Sequence, residues 1–191
     1  MKHSIRELRR SGKVLGALML VAVLAAPAAR AEDAKVEIDR DVDAALETLY
    51  AKSPVATALS KDAKGILVFP KIIKAGLVVG GQYGKGALRQ DGITTGYYNT
   101  VAASYGLQIG AQTFGYALMF MNETALEYLH NSKGWEVGVG PSLVVVDAGK
   151  AGSLTTSTAK DDIYAFFFSQ QGLMAGLGLQ GSKITEIYTD E

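Results

Sequence analysis

Gly65-Ile66-Leu67-Val68-Phe69-Pro70-Lys71-Ile72-Ile73-Lys74-Ala75-Gly76-Leu77-Val78-Val79-Gly80-Gly81 is where the apolar period of this chain changes. From Gly65 onward, apolar runs of four to eight residues are cut by glycines, which is the pattern of strands. Ile66–Phe69, Ile72–Val79, Tyr97–Ala103, Leu107–Ala111 and Tyr116–Met121 read as strands. Trp135–Val139, Ser142–Val146, Ser153–Thr158, Ile163–Ser169, Leu173–Leu179 and Ile184–Tyr188 continue the series. Glycines inside strand patterns mark bulges, sharp coiling or close backbone approach. The 20 glycines from Glu32 onward therefore favour a strongly coiled sheet over a flat one.

Upstream of Gly65 the period is helical. Ile38, Val42, Ala45, Leu46, Leu49 and Tyr50 share one stripe, with the acids Glu32, Asp33, Glu37, Asp39, Asp41, Asp43 and Glu47 around it. Ser53-Pro54 suits an N-cap followed by proline at the first position of a second short helix, reaching to about Ser60. Among the strands one helical island is expected, Glu123–His130, capped by Asn122 and followed by Gly134. The fold class is α+β, with N-terminal helices packed on a strongly coiled, Gly-rich antiparallel β-sheet or barrel.

The first 31 residues read as a signal peptide. Lys2, Arg6, Arg9, Arg10 and Lys13 form a positive n-region, Val14–Leu24 an apolar h-region, and Ala29-Arg30-Ala31 a small-x-small cleavage site. Eleven apolar residues are fewer than the roughly 20 a membrane span needs. The mature chain is then residues 32–191, a single domain, periplasmic or secreted and peripheral to a membrane. It holds 13 basic against 18 acidic residues, a net charge of −5, which disfavours nucleic acid as a partner. No cysteine occurs, so disulfides and thiolate metal sites are excluded and stability must come from burial.

Against that acidic background, the segment from Lys52 to Arg89 carries seven basic residues, Lys52, Lys61, Lys64, Lys71, Lys74, Lys85 and Arg89, and one acid, Asp62. It threads Lys64, Lys71 and Lys74 through Ile66, Phe69, Ile72 and Ile73, a pattern suited to an anionic surface with an apolar interior. For Phe69 a core position is the competing reading, since strand residues alternate between faces.

Catalytic and nucleotide motifs do not survive their context. Gly176-Leu177-Gly178-Leu179-Gln180-Gly181 spells a dinucleotide fingerprint, yet ten residues follow it where a helix and a strand are needed. Gly80-Gly81-Gln82-Tyr83-Gly84-Lys85-Gly86 lacks the spacing and the Ser or Thr of a phosphate loop. His130 is the one histidine of the mature chain and sits at a helix C-terminus, where the dipole favours it. Asp161-Asp162 reads as a solvated turn. The chain is therefore expected to be a non-enzymatic binder that uses no cofactor and no metal.

Three ordered motifs resemble the SYLF-domain family. Ala63-Lys64-Gly65-Ile66-Leu67-Val68-Phe69-Pro70, with Ile73–Gly81 and Gly84-Lys85-Gly86, is similar to its opening signature. Gly106-Leu107-Gln108-Ile109-Gly110-Ala111-Gln112 is similar to its central element, and Gly172–Gly181 to its closing Gly-Leu-x-Ala-Gly element. The resemblance spans about Leu46 to Ile187. It implies a lipid-binding module: eukaryotic members bind phosphoinositides and in some cases actin, and to bacterial members, which are secreted, phospholipid binding is ascribed. Actin and inositol-lipid specificity do not transfer to a secreted bacterial chain, nor does insertion of an N-terminal helix that is acidic here. The residues expected to bind lipid are Lys64, Phe69, Lys71, Lys74, Lys85 and Arg89, and the expected partner is anionic phospholipid or a membrane surface. The alternative is a small outer-membrane β-barrel or structural envelope protein, which the apolar, glycine-rich strands would also suit.

Overall fold

A computed structural model describes residues 30–76, 79–105, 110–146, 160–172, 179 and 181–188. The expected leader up to residue 29, the expected strand Ser153–Thr158 and most of the expected strand Leu173–Leu179 lie outside the described residues.

Residues 30–52 are helical and form α1; α2 is Pro54–Leu59. The break between them is specified locally, because the Ser53 side chain accepts a hydrogen bond from the Ala56 amide at 3.1 Å and Pro54 occupies the first helical position. The strands are β1 (Gly65–Gly76), β2 (Val79–Gln90), β3 (Ile93–Tyr105) and β4 (Gly110–Phe120), then β5 (Trp135–Glu136), β6 (Leu143–Val146), β7 (Ile163–Gly172) and β8 (Lys183–Ile187). Helix α3 (Glu123–Asn131) stands between β4 and β5. Asn122 caps it by accepting from the Ala125 amide at 2.9 Å.

The eight strands form one sheet in the order β5-β8-β3-β2-β1-β4-β7-β6, curled into a half-barrel. Where the sequence led us to expect antiparallel pairing throughout, the sheet is mixed, since the edge strand β6 runs parallel to β7. Two expected runs are also redrawn. Ile66–Phe69 and Ile72–Gly76 of the run Ile72–Val79 belong to one strand, β1, which continues through Pro70 by a bulge; Leu77 and Val78 lie outside the described residues, and Val79 opens β2. β2 itself had no apolar period to betray it, because Gly80, Gln82, Gly84 and Gly86 occupy alternate positions.

Those glycines let strands approach. A Cβ on Gly86 would collide with the Val68 carbonyl, and one on Gly84 would lie 2.8 Å from the Lys71 carbonyl oxygen, so the bulge in β1 can lean onto β2 only where side chains are missing. At the other end of β2, Asp91 (φ 50°) and Gly92 (φ 79°) make the two-residue hairpin into β3.

Each face of the sheet carries its own core. On one, Leu67, Phe69, Ile72, Tyr98, Tyr116, Leu118 and Phe120 pack with Leu126 and Leu129 of α3 and with Trp135. On the other, Ile66, Val68, Ala87, Ala117, Met119 and Phe166 pack beneath Val42, Ala45 and Leu49 of α1 and Ala56 and Leu59 of α2. A strand wall covered by helices cannot also face lipid tails there, which is unlike the lipid-exposed band of a membrane barrel. Among the described residues no helix is long and apolar enough to cross a membrane.

Candidate functional site

The bulge in β1 decides which side chains of the basic segment share a surface. Phe69 and Ile72 are three positions apart, a spacing that strict alternation would split between faces, yet both are fully buried in the α3-side core. The extra residue restores the alternation one step out of phase, so Lys71, Ile73 and Ala75 are exposed on the opposite face, with Lys71 bordering α1.

The ladder extends that face across four strands. Lys71 is opposite Lys85 on β2, and Lys85 opposite Asn99 on β3. In the next row, Thr113, Ile73, Tyr83 and Val101 stand side by side, with Lys183 of β8 at the end opposite Glu136. A third row holds Ala111, Ala75, Gly81 and Ala103. Directly opposed residues share a face. The middle row is conspicuously apolar for solvent: Ile73 is 51% exposed, Tyr83 46% and Val101 48%, and Val79 nearby 62%. The geometry thus joins two lysines to a patch of exposed aliphatic and aromatic side chains.

The expected site residues divide accordingly. Lys71 is exposed at the patch edge. Lys85 is half-buried, its ammonium donating to the Tyr188 hydroxyl at 2.9 Å and lying 5.3 Å from that ring's centre, so it is held in place. Lys64 is exposed but precedes β1, about 20 Å along the strand from Lys71 at 3.3 Å per residue. Phe69 is not a lipid-facing side chain: it is 0% exposed, with its ring 4.9 Å from that of Tyr116.

Lys74 points to the α3 side. It is 7% exposed and in register with Gln82 and Gln112. These belong to a buried polar layer in which Gln82 Nε2 donates to Ser182 Oγ at 2.9 Å and the Tyr116 hydroxyl to Thr100 Oγ1 at 3.0 Å. Burial pushes the Tyr116 phenol well above its ordinary pKa, keeping it a donor.

Arg89 turns under α1. Its guanidinium lies 2.6 Å from Asp43 Oδ1 and 3.4 Å from Asp39 Oδ1, and it donates to the Asp39 carbonyl at 3.2 Å and to Thr94 Oγ1. The Thr94 hydroxyl donates to Asp39 Oδ1 at 2.6 Å, and the Tyr97 hydroxyl to Asp39 Oδ2 at 2.7 Å. This network fastens the helix to β2 and β3, so Arg89 serves packing and is absent from the exposed patch.

The sequence reading missed Tyr83, Val101 and Val79. A period of two in Tyr83-Gly84-Lys85 and in Val101-Ala102-Ala103 was the available signal, hidden because the intervening positions are glycine or alanine. Asp162, expected as a solvated turn, accepts from the Ser142 amide at 2.8 Å, the Ser142 hydroxyl at 2.9 Å and Asn122 Nδ2 at 2.8 Å. These bonds hold its carboxyl below the ordinary carboxylate range. Among the described residues no three His, Asp or Glu side chains converge to hold a metal ion.

No curated protein matches this sequence. Residues 101–190 match the family model described as Ysc84, Las17-binding protein actin regulator. That stretch runs from Val101, in the exposed row, through α3 to the end of β8, and it contains the central and closing motifs read from the sequence. Over residues 101–190 the chain thus matches a Ysc84 (SYLF) domain, consistent with the SYLF-family resemblance of its motifs.

Proposed function

We propose that this protein is a non-enzymatic binder of anionic phospholipid surfaces in the bacterial envelope, docking through the exposed face of β1–β2–β3. The observation that carries this reading is the ladder register, which sets Lys71 and Lys85 beside the apolar row Ile73, Tyr83 and Val101. Lysines attract the headgroup layer while the aliphatic and aromatic side chains reach the region beneath it, and neither half of that arrangement has a use in water. The domain family supports lipid or actin-related binding. The leader-like N-terminus favours lipid, because a chain exported to the periplasm meets membrane and no actin.

Two lysines contribute about 1 kcal/mol each near an anionic bilayer, which gives weak, salt-sensitive attachment. The half-exposed Ile73, Tyr83 and Val101 add about 1 kcal/mol each if the remaining half of each side chain leaves water. Co-sedimentation of the mature protein with vesicles of graded anionic content, at 0.1 M and 1 M salt, tests the proposal. Binding should rise with anionic content and survive in part at 1 M, where the Debye length falls to ~3 Å and only the apolar part is left. Equal binding to neutral and anionic vesicles, or none to either, would refute it.

A further inference from the structure

At one level of the sheet, three neighbouring strands lose register together. β1 skips between Val68 and Lys71 against β2, and between Phe69 and Ile72 against β4. β7 takes an extra residue against β4, with three steps from Phe168 to Gln171 facing two from Gly115 to Thr113. A bulge takes residues out of the ladder and re-aims them. Pro70, which has no N–H to contribute, sits within the β1 bulge. On β7 at the same level, Ser169 adopts φ 53°, a left-handed conformation that costs a residue with a Cβ and persists where the surroundings impose it. Here the surface opens into a depression of about 380 Å³ lined by Pro70, Lys71, Thr113, Phe114, Ser169 and Gln171.

Lys71 is the one charged side chain of that lining, and Thr113, Ser169 and Gln171 supply two hydroxyls and an amide. An adjoining depression shares Pro70, Lys71 and Ser169 with the notch and is lined also by Asp41, whose carboxylate is paired with Arg40 at 2.9 Å. The notch opens at the rim of the apolar face, since Thr113 is the ladder partner of Ile73.

We propose that this notch binds a phosphate ester, and that in the docked protein the ester is the headgroup phosphate of a lipid whose acyl chains lie against Ile73 and Tyr83. This rests on the docking reading above and gives it a headgroup site. A lysine alone attracts any anion. A lysine with two hydroxyls and an amide around a cavity selects an anion with several acceptor oxygens on a tetrahedral centre, as each non-bridging oxygen takes a donor of its own. The bulges bring residues of three strands, β1, β4 and β7, to the lining of one opening.

The experiment uses the mature protein and the double variant Thr113→Val/Ser169→Ala. Ser169→Gly is added because it removes the hydroxyl while relieving the left-handed backbone, so it folds whatever the fate of the double variant. Binding is measured to phosphatidylglycerol vesicles and to vesicles of matched charge made with oleate, whose headgroup is a carboxylate. Glycerol 3-phosphate and inorganic phosphate are titrated while backbone amide resonances are followed. The expected result is a loss of roughly tenfold on phosphatidylglycerol for the double variant and a smaller loss for Ser169→Gly, with oleate vesicles bound as by wild type. Glycerol 3-phosphate should shift the Thr113 and Ser169 amides in the wild type alone.

Equal losses on both vesicle types, or no loss on phosphatidylglycerol, would overturn the notch while leaving the docking surface standing. Failure to bind either vesicle, together with a response of Thr113 and Ser169 to glycerol 3-phosphate or inorganic phosphate, would instead refute docking and establish the notch as a site for a free phosphate ester.

Discussion

Replacing Ile73 by Ser should weaken binding to anionic vesicles with little loss of stability, whereas replacing Phe69 by Ala should destabilise the fold without weakening the binding of the molecules that remain folded. The two residues lie four positions apart in one strand, and the structure assigns them opposite roles. Ile73 is 51% exposed, so folding has secured only about half the transfer free energy of its side chain. With full burial of an isoleucine stabilising by about 1.5–3 kcal/mol, about 1 kcal/mol remains to be gained on insertion into lipid. Losing it weakens vesicle binding roughly fivefold, and adding Val101→Ser, where 48% exposure leaves a similar remainder, takes the loss to about 25-fold. Neither change should lower stability by more than about 0.5–1 kcal/mol. Phe69 is 0% exposed and packed on Tyr116, so truncation to Ala should cost about 3–5 kcal/mol. For a domain of this length that lowers the melting temperature by roughly 10 °C, with vesicle affinity per folded molecule unchanged. Vesicle co-sedimentation at 1 M salt and thermal denaturation, run on the same preparations, separate the two effects. If Ile73→Ser binds as tightly as wild type at 1 M salt while Phe69→Ala loses binding at temperatures where it is folded, the face assignment is wrong.

Further outcomes follow from the contacts beneath that face. Arg89→Ala should lower stability by about 1–3 kcal/mol in chemical denaturation, because it strips the guanidinium from Asp39 and Asp43, and should leave vesicle affinity below the melting temperature unaltered. Gly86→Ala should prevent normal folding, seen as loss of soluble expression, because its Cβ would meet the Val68 backbone and the Phe69 ring. Asn122→Ala should cost about 1–2 kcal/mol, since it removes both the α3 cap and a donor to Asp162. For Asp162 the folded carboxyl is more acidic than the unfolded one at about 3.9, so the folded state binds fewer protons. Its contribution is therefore complete above that value and lost as pH falls through the depressed folded value. Asp162→Asn should flatten the acid limb of the stability-pH curve below about pH 4, measured by denaturation at stepped pH.

Local chemistry was readable along the chain because it is decided by neighbours in sequence. Ser53-Pro54 and Asn122 cap the helices that their positions announced, and among the described residues most of the glycine-cut apolar runs became strands, Trp135–Val139 only at Trp135–Glu136. The candidate surface was only half readable. The sequence showed that cations and apolar residues were concentrated between Lys52 and Arg89, but not which of them look the same way. Lys71 and Lys85 meet on one face, Lys74 turns to the other among glutamines, Arg89 goes under the helix, and Lys64 stays at the far end of its strand.

What the sequence determined by itself was the class of the fold, the segments that are helical and extended, and the three motifs that point to the family. Only the tertiary structure decided the faces. A strand's side chains alternate, so one inserted residue at the Pro70 bulge reverses inside and outside for everything beyond it, and no local pattern counts that residue. That single shift buries Phe69 and Ile72 together and exposes Lys71 and Ile73 together. Ladder pairing with β2 and β3 then brings Tyr83 and Val101 beside them from ten and 28 residues further along the chain.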